Sequence, residues 1–243
     1  MKNVLIDIQE VKKSFGKQKI LKGVTMQLFE NENLVILGKS GTGKSVLIKC
    51  IVRLLELDSG KIQVDDYEVA ESNEEELAAI RKKIGFLFQG AALYDSMTVR
   101  ENLTFPLTRL DKKFSKEEIT DKIEKILEDV GLPEAIDKMP SELSGGMKKR
   151  IGLARTLIVN PKILLYDEPT TGLDPITSDE ISELINTTKN KFNTSSIIIT
   201  HDIKCVKTVA DRIIMLKDGM VYKEGTLSDF ENDKDSYIQS FFN

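Results

Sequence analysis

The stretch Gly38-Lys39-Ser40-Gly41-Thr42-Gly43-Lys44-Ser45 constrains the fold more than any other part of this chain. Before it runs Leu34 to Leu37, an apolar tetrapeptide that reads as a buried strand. After it, Ser45 to Leu55 reads as a helix ending before Asp58-Ser59-Gly60. A glycine-rich loop between strand and helix lets successive backbone N–H groups turn inward around an anion, where side chains would block the approach. The positive N-terminal end of the helix points at the same place. The spacing therefore predicts a phosphate cradle, with the Lys44 ammonium on the β- and γ-phosphates of a nucleotide and the Ser45 hydroxyl on Mg²⁺. A chance match is expected in roughly one chain of this size in a hundred, and the flanking strand and helix make chance less favoured still.

The rest of the chain supplies the setting. Val4 to Ile8 and Val24 to Phe29 are β-branched runs separated by turn signals near Gly16, as in a small antiparallel sheet. Lys61 to Val64 and Ile84 to Phe88 read as further strands, with a solvated helix start at Glu71 to Glu76 between them. From Thr98 to Lys138 charges dominate, and Ile119, Ile123, Ile126, Leu127 and Val130 recur at helical spacing. Another helix follows Ser144. Beyond it strands and helices alternate: Ile163 to Tyr166, Ile176 to Lys189, Ser196 to Thr200, Ile203 to Ala210 and Ile213 to Leu216. Such alternation predicts a parallel sheet with helices on both faces. The stretch after Thr226 reads as short, polar and helical.

Composition removes other classes. With 243 residues, 40% of them hydrophobic and 30% charged, the chain has an ordinary globular balance rather than a disordered, collagen-like or disulfide-scaffold one. A formal net charge of -4 gives no basic footprint, so no nucleic-acid partner is expected. Cys50 and Cys205 have no metal-ligand spacing and read as small buried hydrophobes. No apolar stretch approaches the ~20 residues a spanning helix needs, and Asp7 and Glu10 interrupt any signal-like run. The expectation is a soluble, cytoplasmic protein unless a partner brings it to a membrane.

Two further motifs carry chemistry. Ile163-Leu164-Leu165-Tyr166-Asp167-Glu168 is an apolar strand ending in two carboxylates. At the carboxyl end of a buried strand, Asp167 suits Mg²⁺, and Glu168 suits a general base acting on the attacking water. Leu143-Ser144-Gly145-Gly146-Met147 opens a helix and so makes a second anion-binding terminus. One site does not need two, so this one is expected to reach the γ-phosphate of a nucleotide held by another copy. His201 is the single histidine; a lone histidine is more often structural, but this one ends a β-branched strand.

Together these motifs resemble the ATP-binding subunit of an ABC transporter over almost the whole chain. Gly38 to Ser45 looks like Walker A, Ile163 to Glu168 like Walker B with its catalytic glutamate, and Leu143 to Met147 like the signature, with Met147 replacing glutamine. Gln89 is similar to the Q-loop glutamine that reaches Mg²⁺ and the water, His201 to the switch histidine, and Thr171 to Pro175 to the D-loop containing Asp174. Phe15 lies where the family places an aromatic that stacks on adenine. The resemblance implies an ABC-type P-loop ATPase domain over 4–240: an α/β core of mostly parallel sheet, an antiparallel N-terminal sheet, and a helical subdomain inserted at about 90–158. It also implies ATP and Mg²⁺ as cofactors. Two subunits would pair head to tail, so that Ser144, Gly145 and Gly146 act in trans. Separate integral-membrane permease subunits would recruit the pair to the cytoplasmic face of the inner membrane.

Phe86 to Tyr94, Met97-Thr98-Val99, Phe105-Pro106-Leu107 and Met147 to Arg155 resemble the ATPases of Mla-type phospholipid transporters, which work with an MCE-domain lipid-binding protein between bacterial membranes. ATPases of small-solute importers and lipoprotein-release exporters, and soluble cofactor-assembly ABC proteins, share the same chemistry and stay open as alternatives.

Overall fold

In the computed structural model, which describes residues 3–242, an antiparallel sheet and a mostly parallel sheet enclose a short helix. Met1, Lys2 and Asn243 lie outside the described residues.

Strands β1 (Val4–Phe15) and β2 (Gln18–Phe29) form a hairpin in which Phe15 pairs with Gln18 across Gly16, at φ 59°. The hairpin is longer than the sequence suggested. Its distal half carries Lys12, Lys13, Lys19 and Lys22, whose charges hide the strand pattern, while cross-strand pairing still holds the backbone extended. Then come β3 (Asn33–Leu37) and α1 (Lys44–Ile51). That helix ends four residues earlier than expected: Arg53 turns left-handed at φ 48°, and the Leu54 amide folds back to the Lys49 carbonyl. Strands β4 (Ser59–Val64) and β5 (Tyr67–Glu68) complete an antiparallel sheet ordered β2-β1-β4-β5.

Helix α2 (Glu74–Lys83) starts at an Asn73 capping box and leads to β6 (Ile84–Leu87). The chain between β6 and the next strand holds α3 (Val99–Leu107), α4 (Lys116–Asp129), two 3₁₀ turns and α5 (Gly145–Leu157). It then alternates: β7 (Ile163–Asp167), α6 (Pro175–Phe192), β8 (Ser195–Ile199), α7 (Ile203–Val209) and β9 (Arg212–Lys217). Strand β10 (Met220–Gly225) precedes α8 (Leu227–Glu231) and α9 (Ser236–Phe242). The second sheet runs β10-β9-β3-β8-β7-β6, parallel throughout except for β10. Strand β10 was not anticipated. Its signal was the Asp218-Gly219 turn, both residues at positive φ, which closes a tight hairpin from β9.

Both faces of the parallel sheet are buried, which is why its strands read as unbroken apolar runs. Alternation along each strand splits them between two cores. Val35, Leu37, Leu164, Tyr166, Ile198, Ile213 and Met215 face the core shared with α3 to α7. Leu34, Ile36, Ile163, Leu165, Ile197, Ile199, Ile214 and Leu216 face the core shared with the antiparallel sheet and α1. The consequence for function is geometric: β3, β8, β7 and β6 lie side by side and deliver their carboxyl ends to one edge.

Candidate active site

Each of those four strand ends carries a residue singled out from sequence. The Gly38–Ser45 loop leaves β3, Gln89 follows β6, Asp167 and Glu168 end β7, and His201 follows β8. A crevice outside the carboxyl ends of parallel strands is where such sheets bind ligands. A cavity of about 720 Å³ opens there, lined by Phe15, Lys39, Ser40, Gly41, Gly43, Lys44, Ser45, Gln89, Glu168 and His201. Gly38, Thr42 and Asp167 are not in its wall. Thr42 braces the loop by donating from Oγ1 to the Lys39 carbonyl at 2.9 Å.

The loop is held from within. Lys44 Nζ donates to the Gly38 carbonyl at 2.7 Å and to the Lys39 carbonyl at 3.0 Å, so the ammonium sits in the centre of the turn. Burial lowers its pKa, and the carboxylates of Glu168 and Asp167 oppose that shift. A buried cation held by two neutral carbonyls has much to gain from an arriving phosphate. Gly43, which precedes α1, has φ 99°, and a Cβ there would meet Leu21 Cδ2 at 2.7 Å.

Ser45 Oγ donates to Asp167 Oδ1 at 2.7 Å, joining the start of α1 to the end of β7. A hydroxyl and a carboxylate are hard oxygen donors of the kind Mg²⁺ selects, and Mg²⁺ commonly takes only one or two protein ligands beside phosphate oxygens and water. The donor set fits that ion.

Glu168 occupies the left-handed region at φ 53°, an uncommon conformation for a residue with a side chain. Its amide donates to the Ile199 carbonyl at 2.9 Å, which fixes the bend at the strand end. Its Oε2 accepts from Thr171 Oγ1 at 3.1 Å and lies 2.9 Å from His201 Nδ1. The carboxylate is thus oriented by two neighbours, as a group that must take a proton from water needs to be.

Sequence reasoning gave Lys149 no site role. It is 5% exposed, and its Nζ donates to the Gln89 carbonyl at 2.5 Å and the Glu168 carbonyl at 3.2 Å. Burial lowers its pKa against the pull of Asp167 and Glu168. A lysine inside a run of three basic residues, Lys148 to Arg150, gives no hint of burial; only the phase of α5 does. Thr171 was noted only within the D-loop resemblance; its position three residues after Glu168 was its signal. Ser240 and Phe241 of α9 also line the cavity, from a segment read as short, polar and helical and given no site role.

The remaining predicted residues stand elsewhere. Ser144 caps α5, accepting from the Met147 amide at 3.3 Å, and neither it nor Gly145 nor Gly146 lines the cavity. Gly146 is pressed against α6, where a Cβ would meet Thr177 Cγ2 at 2.4 Å. Asp174 caps α6: Oδ1 accepts from the Ile176 and Thr177 amides at 3.1 and 3.0 Å, and Oδ2 accepts from the Thr177 hydroxyl at 2.6 Å. The Thr177 hydroxyl holds the Asp174 carboxyl below its ordinary pKa. Among the described residues no helix is long and apolar enough to cross a membrane.

Comparison with known proteins adds an independent line. A family model described as ABC transporter matches residues 21–171. A chloroplastic protein of Arabidopsis thaliana named TRIGALACTOSYLDIACYLGLYCEROL 3 is 38% identical over 256 residues, covering 98% of this chain and 73% of that protein. Methionine import ATP-binding protein MetN 1 of Staphylococcus aureus (strain N315) is 37% identical over 242 residues, covering 98% of this chain and 70% of that one. Among solved structures, the ATP-binding cassette MJ0796, a dimer in a post-hydrolysis state with ADP and phosphate, superposes with a TM-score of 0.83 at 32% identity, over 91% of this chain and 98% of that one.

Proposed function

The chain belongs to the ABC transporter family, and from that premise we propose that it is the ATPase subunit of a phospholipid transport system of the Mla type. It is an ATPase of the ABC kind: it hydrolyses ATP to ADP and phosphate, and transport uses the energy. The observation that carries the site assignment is the convergence of Lys44, Ser45, Gln89, Glu168 and His201 on one cavity from four adjacent strand ends.

In this reading Gly38 to Ser45 wraps the phosphates, with backbone N–H groups as donors and Lys44 Nζ as the cation. Ser45, Asp167 and Gln89 would hold Mg²⁺, which when bound would neutralise phosphate charge. Glu168 is the general base: its carboxylate receives the proton of the attacking water. His201 and Thr171 keep that carboxylate aimed, and His201 contacts the γ-phosphate. The helix opened by Ser144, Gly145 and Gly146 serves the nucleotide of a second copy, with Asp174 at the seam between them. Phe15 packs on the base. The domain spans 4–240, and its helical subdomain, about 90–158, faces the permease.

The partners follow from the same reading: a homodimer sharing two ATP sites, permease subunits that bring it to the cytoplasmic side of the inner membrane, and an MCE-domain lipid-binding protein. The lipid assignment is supported by the Phe86 to Tyr94 and Met147 to Arg155 motifs and by the relative whose name is that of a galactolipid. The methionine-import relative, at nearly equal identity, favours a small-solute importer as the second reading.

One experiment addresses both levels. The chain is purified with its permease in wild-type and Glu168→Gln forms, assayed for ATP turnover, and extracted for mass spectrometry. We expect co-purified phospholipid, turnover in the wild type, and retained ATP binding with turnover lost by roughly a thousandfold in the variant, as for loss of an essential proton acceptor. Near wild-type turnover by Glu168→Gln refutes the catalytic assignment; methionine-stimulated turnover without bound lipid refutes the lipid reading.

A further inference from the structure

Helix α9 reaches the nucleotide cavity from the far end of the chain, and its two faces have different jobs. Ile238 is 2% exposed, and the Phe242 ring lies 6.2 Å from that of Phe230, so this face is fixed in the core. The other face presents Tyr237 and Phe241, four residues apart and so stacked along the helix, with ring centroids 5.4 Å apart. Phe241 and Ser240 form part of the same cavity wall as Phe15, Lys44 and Glu168. The Ser240 hydroxyl is already spent on the Tyr237 carbonyl at 2.7 Å, which leaves the Phe241 ring as the apolar surface this helix offers there.

Tyr237 is the pin that sets this face. Its ring lies under the Lys217 ammonium at 4.3 Å and the Lys39 ammonium at 5.2 Å, and it meets Tyr222 edge-on at 5.6 Å. The helix start is tied as well: Asp235 Oδ1 accepts from the Tyr237 amide at 2.8 Å, and Asp235 Oδ2 accepts from the Tyr222 hydroxyl at 2.6 Å. Lys39 belongs to the phosphate loop itself, so Tyr237 couples α9 to the loop.

We propose that Phe241 supplies an apolar wall for the nucleobase in addition to Phe15, and that Tyr237 positions it from Lys39. This rests on the cavity being the nucleotide site and deepens that assignment. A base offers an apolar π-face, and burying it against the Phe241 ring removes apolar area from water while leaving the phosphates to the loop. Stacking of a base on an aromatic side chain is favourable without regard to base identity, so the wall strengthens binding without selecting adenine.

The test uses the full chain and two probes, ADP and inorganic pyrophosphate; the second shares the diphosphate and lacks the base. Phe241→Ala is expected to weaken ADP binding roughly tenfold while pyrophosphate binding stays within about twofold of wild type. Tyr237→Ala should show a smaller loss of the same pattern, and Tyr237→Phe, which keeps the ring under both ammonium groups, should restore wild-type affinity. The proposal is overturned if Phe241→Ala binds ADP within about twofold of wild type, or more tightly. It is equally overturned if ADP and pyrophosphate weaken by the same factor, since that reports damage to the loop or fold. A wild-type chain that binds neither probe would instead remove the nucleotide assignment beneath it.

Discussion

Lys149 and Glu168 show how single residues are made to serve here. Glu168 owes its aim to a left-handed bend that its side chain does not favour, and that bend persists because its amide and carbonyl are both engaged, by Ile199 and by Lys149. Lys149 also grips the carbonyl of Gln89, so one buried ammonium fixes two strand ends at once. Charged hydrogen bonds of this kind contribute about 1.5–3 kcal/mol each. Lys149→Met, which keeps the length and loses the donors, should therefore lower kcat roughly tenfold while the Kd for ADP moves less than about twofold. Steady-state turnover beside a binding titration measures that split; parallel losses in both would show that Lys149 only maintains the fold. From sequence, Glu168 was legible and Lys149 was not, because an ammonium's burial depends on what packs over the helix rather than on its own neighbours in the chain.

At the scale of elements, α1 and α7 each bury one thiol, Cys50 and Cys205, both 1% exposed. Burial raises each to about 11 from 9.0. The neutral thiol is the favoured form in the folded chain, whereas the unfolded chain loses these protons first as pH rises. Their contribution to stability is therefore full below about pH 9 and declines between about 9 and 11. At pH 8 iodoacetamide should leave both unmodified in native protein and alkylate both in urea; fast native labelling of either would contradict the packing around it. The reading of both cysteines as small buried hydrophobes agrees with this burial. Other elements were less legible. The charged outer half of the β1–β2 hairpin and all of β10 are strands because a neighbour pairs with them, and α1 stops at Ile51 because Arg53 turns left-handed. Helix α9 looked like a polar tail; its aromatic face acquires meaning only where Lys39 and Lys217 meet it.

For the whole molecule, the decisive absence is of the signature from the cavity: Ser144, Gly145 and Gly146 start a helix elsewhere. A site completed in trans accounts for that, since a closed pair would bring this helix end to the other copy's phosphate. In that proposed arrangement, ATP would close the pair by binding the closed form far more tightly than the open one. A mixed dimer tests the arrangement. With Lys44→Ala in one chain and Ser144→Arg in its partner, both lesions fall in one composite site and the other stays intact. ATP occlusion by that dimer should be about half that of wild type. Occlusion reduced to the level of a doubly lesioned dimer would exclude the trans arrangement.

The sequence alone determined the chemical parts: a phosphate loop between strand and helix, two carboxylates at a strand end, and an α/β alternation that puts helices on both faces of a parallel sheet. Those are local or periodic properties, set by residue type and spacing within a few turns of chain. The tertiary structure decided which parts meet. Residues 44, 89, 168 and 201 share one cavity only because β3, β8, β7 and β6 lie adjacent and parallel, an order that buries both sheet faces at once, while Phe15 and Phe241 reach the same cavity from the β1–β2 hairpin and from α9. The same global packing buried Lys149 against two strand ends and turned one face of α9 toward the nucleotide cavity, and no window of the sequence contains the partners that made those outcomes favourable.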